Sequence, residues 1–380
     1  VIEVDIIVVG AGMAGASVAS RLVPMANVAV LEMESQPGYH TTGRSAATWI
    51  EAYGNECVVK LNRASREFLE QPDSSVSATG FTSPRGMLSV QLDWSTQTAS
   101  EIAGPESGLA AITLDEALEL VPQLRREVVR AAVYTEDAYD IDVNALHSAY
   151  LKFFRSHGGK LSCDSEVLSL DRKQGRWHVT TAAEQYSADM LVNAAGAWAA
   201  TLGSMAGSQC DTGLTPLRRS AAIVPLPDSI DCSRWPITAD IDEAFYFKPE
   251  SGQLMVSPAD ETPVEPHDAY PEDLDIATGI DRFQKAMNVP VKRLGRCWAG
   301  LRTFSRDRTP VVGFDPLVEN FFWLAGQGGY GIQTAPAMAS LASSLLLDNE
   351  LEKPVAREKI DLADLDPGRF NSLSDKPSSV

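Results

Sequence analysis

Positive charge is scarce in this chain of 380 residues: 32 lysines and arginines stand against 51 aspartates and glutamates, a formal net charge of −19. A field of that sign repels phosphate backbones and anionic lipid, so no nucleic-acid partner is expected. Cysteine is sparse as well, with five at positions 57, 163, 210, 232 and 297 and no C-x-x-C pair. That argues against a disulfide framework or a zinc site and fits a reducing compartment. The five histidines (40, 147, 157, 178 and 267) have no ligand spacing, so no metal site is expected, and neither a G-x-S-x-G elbow nor a Walker loop occurs. No positively charged segment precedes an apolar stretch in the opening Val1-Ile2-Glu3-Val4-Asp5. No secretory signal is read there, and a location in the cytoplasm, or peripheral to the membrane, is expected. Residues 321–347 carry no charge, but Gly326, Gly328, Gly329, Gly331 and Pro336 break the run. Irregular backbone exposed to lipid leaves polar groups unsatisfied, so this is read as a buried, ligand-lining segment and no integral membrane span is expected.

Hydrophobic residues make up 44% of the chain and charged residues 22%, which suits a folded protein of one large domain or two interleaved ones. Asp5 to Val9 reads as a buried strand, Gly10-Ala11-Gly12-Met13-Ala14-Gly15 as a glycine turn, and the residues from Ala14 to about Leu22 as a helix with small residues on one side. A second buried strand, Val28 to Leu31, closes with Glu32, 22 positions beyond Gly10. This is the dinucleotide-binding spacing in its informative context. Gly10 permits the tight turn, Gly12 lets a pyrophosphate approach the backbone, Gly15 permits close packing, and the helix N-terminus supplies a positive dipole. Glu32 can accept both ribose hydroxyls, which disfavours a 2′-phosphate. The pattern alone leaves NAD and FAD both open.

Three further segments carry chemistry. Gly38 to Ala47 (GYHTTGRSAA) is either a solvated loop or a segment continuing along the cofactor, with Thr42, Arg44 and Ser45 on phosphate or ring edges. The glycines of 326–331 offer a nest of backbone N–H groups before a helix; tight core packing is the other reading. Arg302 follows the apolar Trp298-Ala299-Gly300-Leu301, so if buried it needs an anionic partner. A substrate carboxylate held bidentately is one candidate, and Asp307 or another protein acid is the other.

The chain resembles the D-amino-acid oxidase, glycine oxidase and sarcosine oxidase group of flavoproteins, and within it the bacterial D-arginine dehydrogenases. The likeness lies in VVGAGMAGAS with LEMESQPGYHTTGRSAA, LVNAAGAWA at 191–199, WAGLRTF at 298–304 and AGQGGYGIQTAPAM at 325–338. It implies a mixed α/β and α+β fold: a discontinuous Rossmann-type FAD-binding domain (1–80, 143–212 and 297–380) and a β-sheet-rich substrate-binding domain (81–142 and 213–296). It implies FAD contacts from Gly10, Gly12, Met13, Ala14, Gly15 and Glu32, and from Thr42, Gly43, Arg44, Ser45, Ala46 and Ala47. Val167, then Ala195, Gly196 and Trp198, and finally Gly328, Gly329, Tyr330, Gly331, Ile332 and Gln333 complete the implied set. Covalent members attach FAD through a cysteine in the segment corresponding to 300–310, and none occurs there, so noncovalent FAD is expected.

The resemblance implies oxidation of a small-molecule D-amino acid, with Arg302 and Tyr246 on its carboxylate and Tyr53 and Arg219 beside them. The two tyrosines also suit half-buried packing, and of the adjacent Arg218 and Arg219 one is expected to face solvent. Oxidation of a secondary amine such as sarcosine or proline, and a flavin-binding subunit without turnover, remain as alternatives, and the electron acceptor (oxygen, quinone or other) stays open. The side-chain pocket is assigned to Thr48, Glu51, Met87, Gly329 and Tyr330. Thr48 stands where the D-arginine dehydrogenases carry histidine, and FTSPRGMLSV at 81–90 holds no acid. Glu51 either receives a cationic substrate or is a solvated loop acid. With Phe81, Met87 and Leu88 offering apolar surface, neutral apolar D-amino acids are expected ahead of D-arginine.

Overall fold

The computed structural model describes residues 1–104 and 107–373. Ile6–Val9 is apolar without alternation and wholly buried, as a strand covered on both faces must be. It sits inside a six-stranded sheet whose order is Lys160–Ser162, Val28–Leu31, Ile6–Val9, Met190–Asn193, Phe321–Ala325 and Val311–Phe314. The first five strands are parallel and the last is antiparallel to its neighbour. Helices Met13–Leu22 and Ala335–Leu346 cover one face over Val8, Val30, Val192 and Phe322. The other face packs Ile7, Leu191 and Trp323 against Trp177 and Tyr186 of a small four-stranded sheet.

Helix Met13–Leu22 can lie this close to the sheet because Gly15 has no side chain: a Cβ there would stand 1.9 Å from the Gly10 carbonyl oxygen. Helix Val143–Ser156 starts where Asp142 accepts a hydrogen bond from Ala145 N, which makes Asp142 its cap. Helix Glu56–Glu70 and the short Leu114–Leu120 are capped in the same way by Asn55 and Thr113. Residues 321–347 form strand, glycine turns and the buried helix Ala335–Leu346. Among the described residues no helix is long and apolar enough to cross a membrane.

The second layer system is a nine-stranded sheet, antiparallel except where Ile237–Asp240 runs parallel to Met87–Leu92. Helix Asp273–Ala286 packs Phe283 against its Phe247 and Val256. Cys297–Phe304 belongs to this sheet, pairing antiparallel with Thr215–Val224. A division by sheet membership therefore starts the C-terminal return after Phe304 rather than at the expected residue 297. That strand carries Arg302 from the large sheet toward the dinucleotide unit, and a cavity lies between the two.

Candidate active site

The cavity has a volume of about 1750 Å³, its mouth included, and is lined from Glu32 through Gly12, Ser45 and Gly300 to Arg302 and Gly329. At the first end a Cβ on Gly12 would meet only the Thr42 hydroxyl, at 3.3 Å. That hydroxyl accepts a hydrogen bond from Met13 N at 2.9 Å, so the segment after Glu32 is tied to the helix N-terminus. Each carboxylate oxygen of Glu32 takes one backbone bond, Oε2 from Ala11 N at 2.8 Å and Oε1 from Glu34 N at 3.0 Å. A second lone pair on each oxygen is left for a diol. Behind the turn, His147 Nε2 lies 2.9 Å from the Ala11 carbonyl. Burial pushes its pKa below the ordinary value, outweighing the carbonyl, so a neutral ring donates to that oxygen.

Arg44 departs from its expected role. Its guanidinium is bound to the Asp268 carboxylate and to the carbonyls of Ala269 and Ala299, both at 3.0 Å, and the Tyr39 ring packs on it. It lines the cavity but fastens 268–269 to the strand Cys297–Phe304 instead of offering its charge to a phosphate. Met13, Ala14, Ser45, Ala46, Val167, Ala195, Gly196, Trp198, Gly328, Gly331 and Ile332 line the cavity as expected. Gly10 lines it too, whereas Gly15, Gly43, Ala47, Tyr330 and Gln333 do not. The Gln333 amide is spent holding Ile50 and Asn62.

At the other end no carboxylate among the described residues lies within ion-pair distance of Arg302, whose Nη2 donates to Tyr246 Oη at 3.5 Å. Asp307, the expected rival, pairs with Arg369. A Cβ built on Gly329 would stand 3.1 Å from both Arg302 Nη1 and Tyr53 Oη. Gly329 therefore leaves open the space on which these two donors converge. Burial works against ionising Tyr246, but Arg302 and Arg219 outweigh it and bring the phenol below its ordinary pKa. Both adjacent arginines are enclosed, contrary to the expectation that one faces solvent: Arg218 points to Asp260, Glu272 and Asp275. Arg219 lines the cavity and pairs with Glu261 at 2.9 Å.

The side-chain pocket is the part that sequence misplaced. Glu51 is bound to Arg63 at 2.7 Å, and neither it nor Met87 nor Thr48 lines the cavity; the Thr48 hydroxyl is buried without a hydrogen-bond partner. Phe81 and Leu88 are buried in two separate cores, so they offer no surface to a substrate. Tyr330 supports Tyr53 edge-on, ring centroids 5.4 Å apart. An unforeseen carboxylate, Asp140, comes up beside Thr48 across the strand pair. It is held by Lys248 at 2.6 Å and Arg85 at 2.7 Å.

The residues present fit a flavin dinucleotide. The glycine turn is open and Glu32 has acceptor capacity, and both line the cavity. A profile of the family described as FAD dependent oxidoreductase matches residues 5–345. The chain belongs to that family. This FAD dependent oxidoreductase is 24% identical over 361 residues to a glycine oxidase of Bacillus licheniformis, covering 92% of this chain and 94% of that one. It is 28% identical over 274 residues to the mitochondrial dimethylglycine dehydrogenase of Mus musculus, covering 66% of this chain and 30% of the relative. The chain thus spans about a third of the dimethylglycine dehydrogenases it matches. Its fold superposes on the L-proline dehydrogenase of P. horikoshii with a TM-score of 0.82, at 21% identity and with 98% of each chain covered. The glycine oxidase of Geobacillus kaustophilus gives a TM-score of 0.80, at 21% identity and with 97% and 99% covered. FAD is the cofactor of this oxidoreductase.

Two predictions arise here. No cysteine lines the cavity among the described residues, so heat or acid precipitation of the holoprotein should leave the yellow flavin in the supernatant. Colour that stays with the fully denatured pellet would show a covalent link. The second concerns Glu261, whose burial is outweighed by Arg308 and Arg219, so that its carboxyl titrates below the ordinary range. A depressed folded pKa contributes stability above the unfolded value, about 4.3, and loses it as pH falls through the folded one. Glu261→Gln should therefore lower Tm most near neutral pH, with the gap to the parent closing below about pH 4. A gap that is constant with pH would mean that the ion pairs carry no net stability.

Proposed function

We propose that the chain oxidises a D-amino acid at its α-carbon, giving an imino acid that water hydrolyses to a 2-oxo acid and ammonia. The observation that carries this reading is Arg302, a guanidinium facing the cavity with two phenols and, among the described residues, no acid in ion-pair contact with it. A substrate carboxylate is the matching anion, and Arg302 with Tyr246 and Tyr53 would hold it in charge-assisted hydrogen bonds. Bound FAD supplies the acceptor for the hydride leaving the α-carbon. The protein's own contribution is positional: it fixes the carboxylate at three donors and thereby fixes the α-carbon that follows it. No carboxylate or histidine lines the Arg302 end among the described residues, so the amine has to enter neutral or release its proton to water. The D-configuration is supported by the likeness of 38–47, 191–199, 298–304 and 325–338 to the D-arginine dehydrogenases. The pocket does not extend that likeness to a cationic side chain, because Glu51 and Asp140 are both neutralised within the protein.

A second reading, oxidation of a secondary amine, has support in the similarity to dimethylglycine dehydrogenase and to the proline dehydrogenase fold; the carboxylate anchor serves both. Anaerobic mixing of the holoprotein with D-alanine, D-methionine, D-arginine, sarcosine and L-proline decides between them by the bleaching of oxidised-flavin absorbance. D-enantiomers should bleach fastest with D-arginine behind the neutral ones. Sarcosine or proline in front would transfer the proposal to secondary amines, and no bleaching by any of them would identify a flavin-binding subunit without amine turnover.

A further inference from the structure

Three guanidiniums, Arg219, Arg302 and Arg308, lie within electrostatic reach of a single carboxylate, Glu261. Glu261 spans two of them, with Arg219 at 2.9 Å and Arg308 at 2.7 Å, and leaves Arg302 without an acid. The only acids among the cavity's described lining residues are Glu32 and Glu166. Both are at the glycine-turn end, since Ser165, next to Glu166, bonds its N–H to the Glu32 carbonyl at 2.8 Å. Of these four groups the two that line the cavity are both cations, Arg219 and Arg302, and Glu261 is paired with only the first of them. A low-dielectric site that holds an unbalanced cation favours whatever ligand neutralises it.

The strand ladder says where the second anion would sit. Arg219 is paired with Gly300 and Leu217 with Arg302 on the neighbouring antiparallel strand, so Arg219 and Arg302 are diagonal neighbours on one face. Such neighbours are about 7 to 8 Å apart along the backbone. Gly300, opposite Arg219, adds no side chain between them. Arg219 also keeps a buried Nε–H without an acceptor, even though its Nη2 is engaged by Glu261. Two guanidiniums on neighbouring positions of one sheet face can receive two carboxylates joined by a short carbon chain, whereas a single α-carboxylate needs only one of them.

We infer that the preferred substrate is an amino acid with a second carboxylate, its α-carboxylate on Arg302, Tyr246 and Tyr53 and its distal carboxylate on Arg219. This inference rests on the amine-oxidation reading for the reaction, but not for the binding. The apolar side-chain preference expected from residues 81–90 gives way to it, because Phe81 and Leu88 are in the cores; the apolar lining beside Arg219 is Ala221 and its strand partner Trp298.

Two measurements on the holoprotein test it. In turnover, D-glutamate should exceed its neutral isostere D-glutamine in kcat/KM by about tenfold or more. Arg219→Gln should reduce that ratio toward one, and Arg219→Lys, which keeps the charge, should restore part of it. In equilibrium binding, read as the perturbation of bound-flavin absorbance, glutarate should bind about tenfold more tightly than butyrate, and only in proteins that keep a cation at 219. Equal use of D-glutamate and D-glutamine by the parent, or a ratio untouched by Arg219→Gln, overturns the inference while leaving amine oxidation standing. Tight glutarate binding dependent on Arg219, with no amine bleaching the flavin, overturns the reaction reading and leaves the dicarboxylate site standing. If Arg219→Gln does not fold, the parent's two ratios decide alone.

Discussion

Arg302→Met is expected to lower kcat/KM for every amino-acid substrate by about two to four orders of magnitude, since it removes a charged, partly desolvated contact from a bound carboxylate. The FAD content should stay at the parent level, because Arg302 is not among the groups at the glycine turn or around Glu32. Much of the loss should fall on kcat, because a carboxylate no longer fixed at three donors leaves the reacting carbon free to wander. Arg302→Lys should recover only part of the loss, because a single ammonium cannot reproduce the planar fork that meets two oxygens at once. Tyr246→Phe, which deletes the Oη placed 3.5 Å from Arg302, should be milder. Steady-state kinetics with flavin content measured on the same samples checks all three. Parental turnover by Arg302→Met would mean that the carboxylate anchor lies elsewhere and that Arg302 only balances Tyr246 and Glu261.

Gly10→Ala acts at the opposite end and should yield a chain largely without flavin. Gly10 has φ of +101°, and a Cβ there would fall 2.4 Å from the Ala194 carbonyl oxygen. Forcing a side chain into that backbone region costs more than about 1 kcal/mol before the clash is counted. The clash is with main chain and cannot be relieved by turning a side chain. To accommodate it, the turn must move away from residues 194–195, which line the same cavity. A displacement worth about 1.4 kcal/mol already means tenfold weaker binding, so the Kd for FAD should rise at least tenfold and flavin should be lost from the protein on gel filtration in FAD-free buffer. Gly104→Ala is the control, because nothing lies within 4 Å of a Cβ there. Full flavin content in Gly10→Ala would show that the turn can shift without disturbing the cofactor.

The parts of the site that were legible in the sequence are those in which one local constraint decides. The glycine spacing, Glu32 at the end of the second strand and the arginine in an apolar strand each announce a physical need that only a ligand or a close backbone approach meets. Residues 38–47 were legible as cavity lining but not in the role of Arg44, because its partner Asp268 is 224 residues away. The same holds for Asp140, shared by Lys248 and Arg85, which are 108 and 55 residues away. Ion pairs between distant segments leave no periodic trace. The alternation in 81–92 was real, yet both sides of that stretch are covered, so alternation could not tell which side chains face a ligand. Arg218 and Arg219 show the same limit. One faces the acids near helix Asp273–Ala286 and the other the cavity, so neither reaches solvent. Glu261 had no local signal at all, and it is the residue that sets the charge balance around Arg219.

The middle of the six-stranded sheet is made of segments from the start, the middle and the far part of the chain: Ile6–Val9, Met190–Asn193, and Phe321–Ala325 with its following glycines. During synthesis, when segments fold in the order in which they leave the ribosome, the glycine turn is therefore finished some three hundred residues before the loop that completes the far end of the same cavity. Cofactor capture and completion of the fold are then one late event, timed by the emergence of residues 321–346, and a ribosome stalled upstream of them would release a chain with half a site.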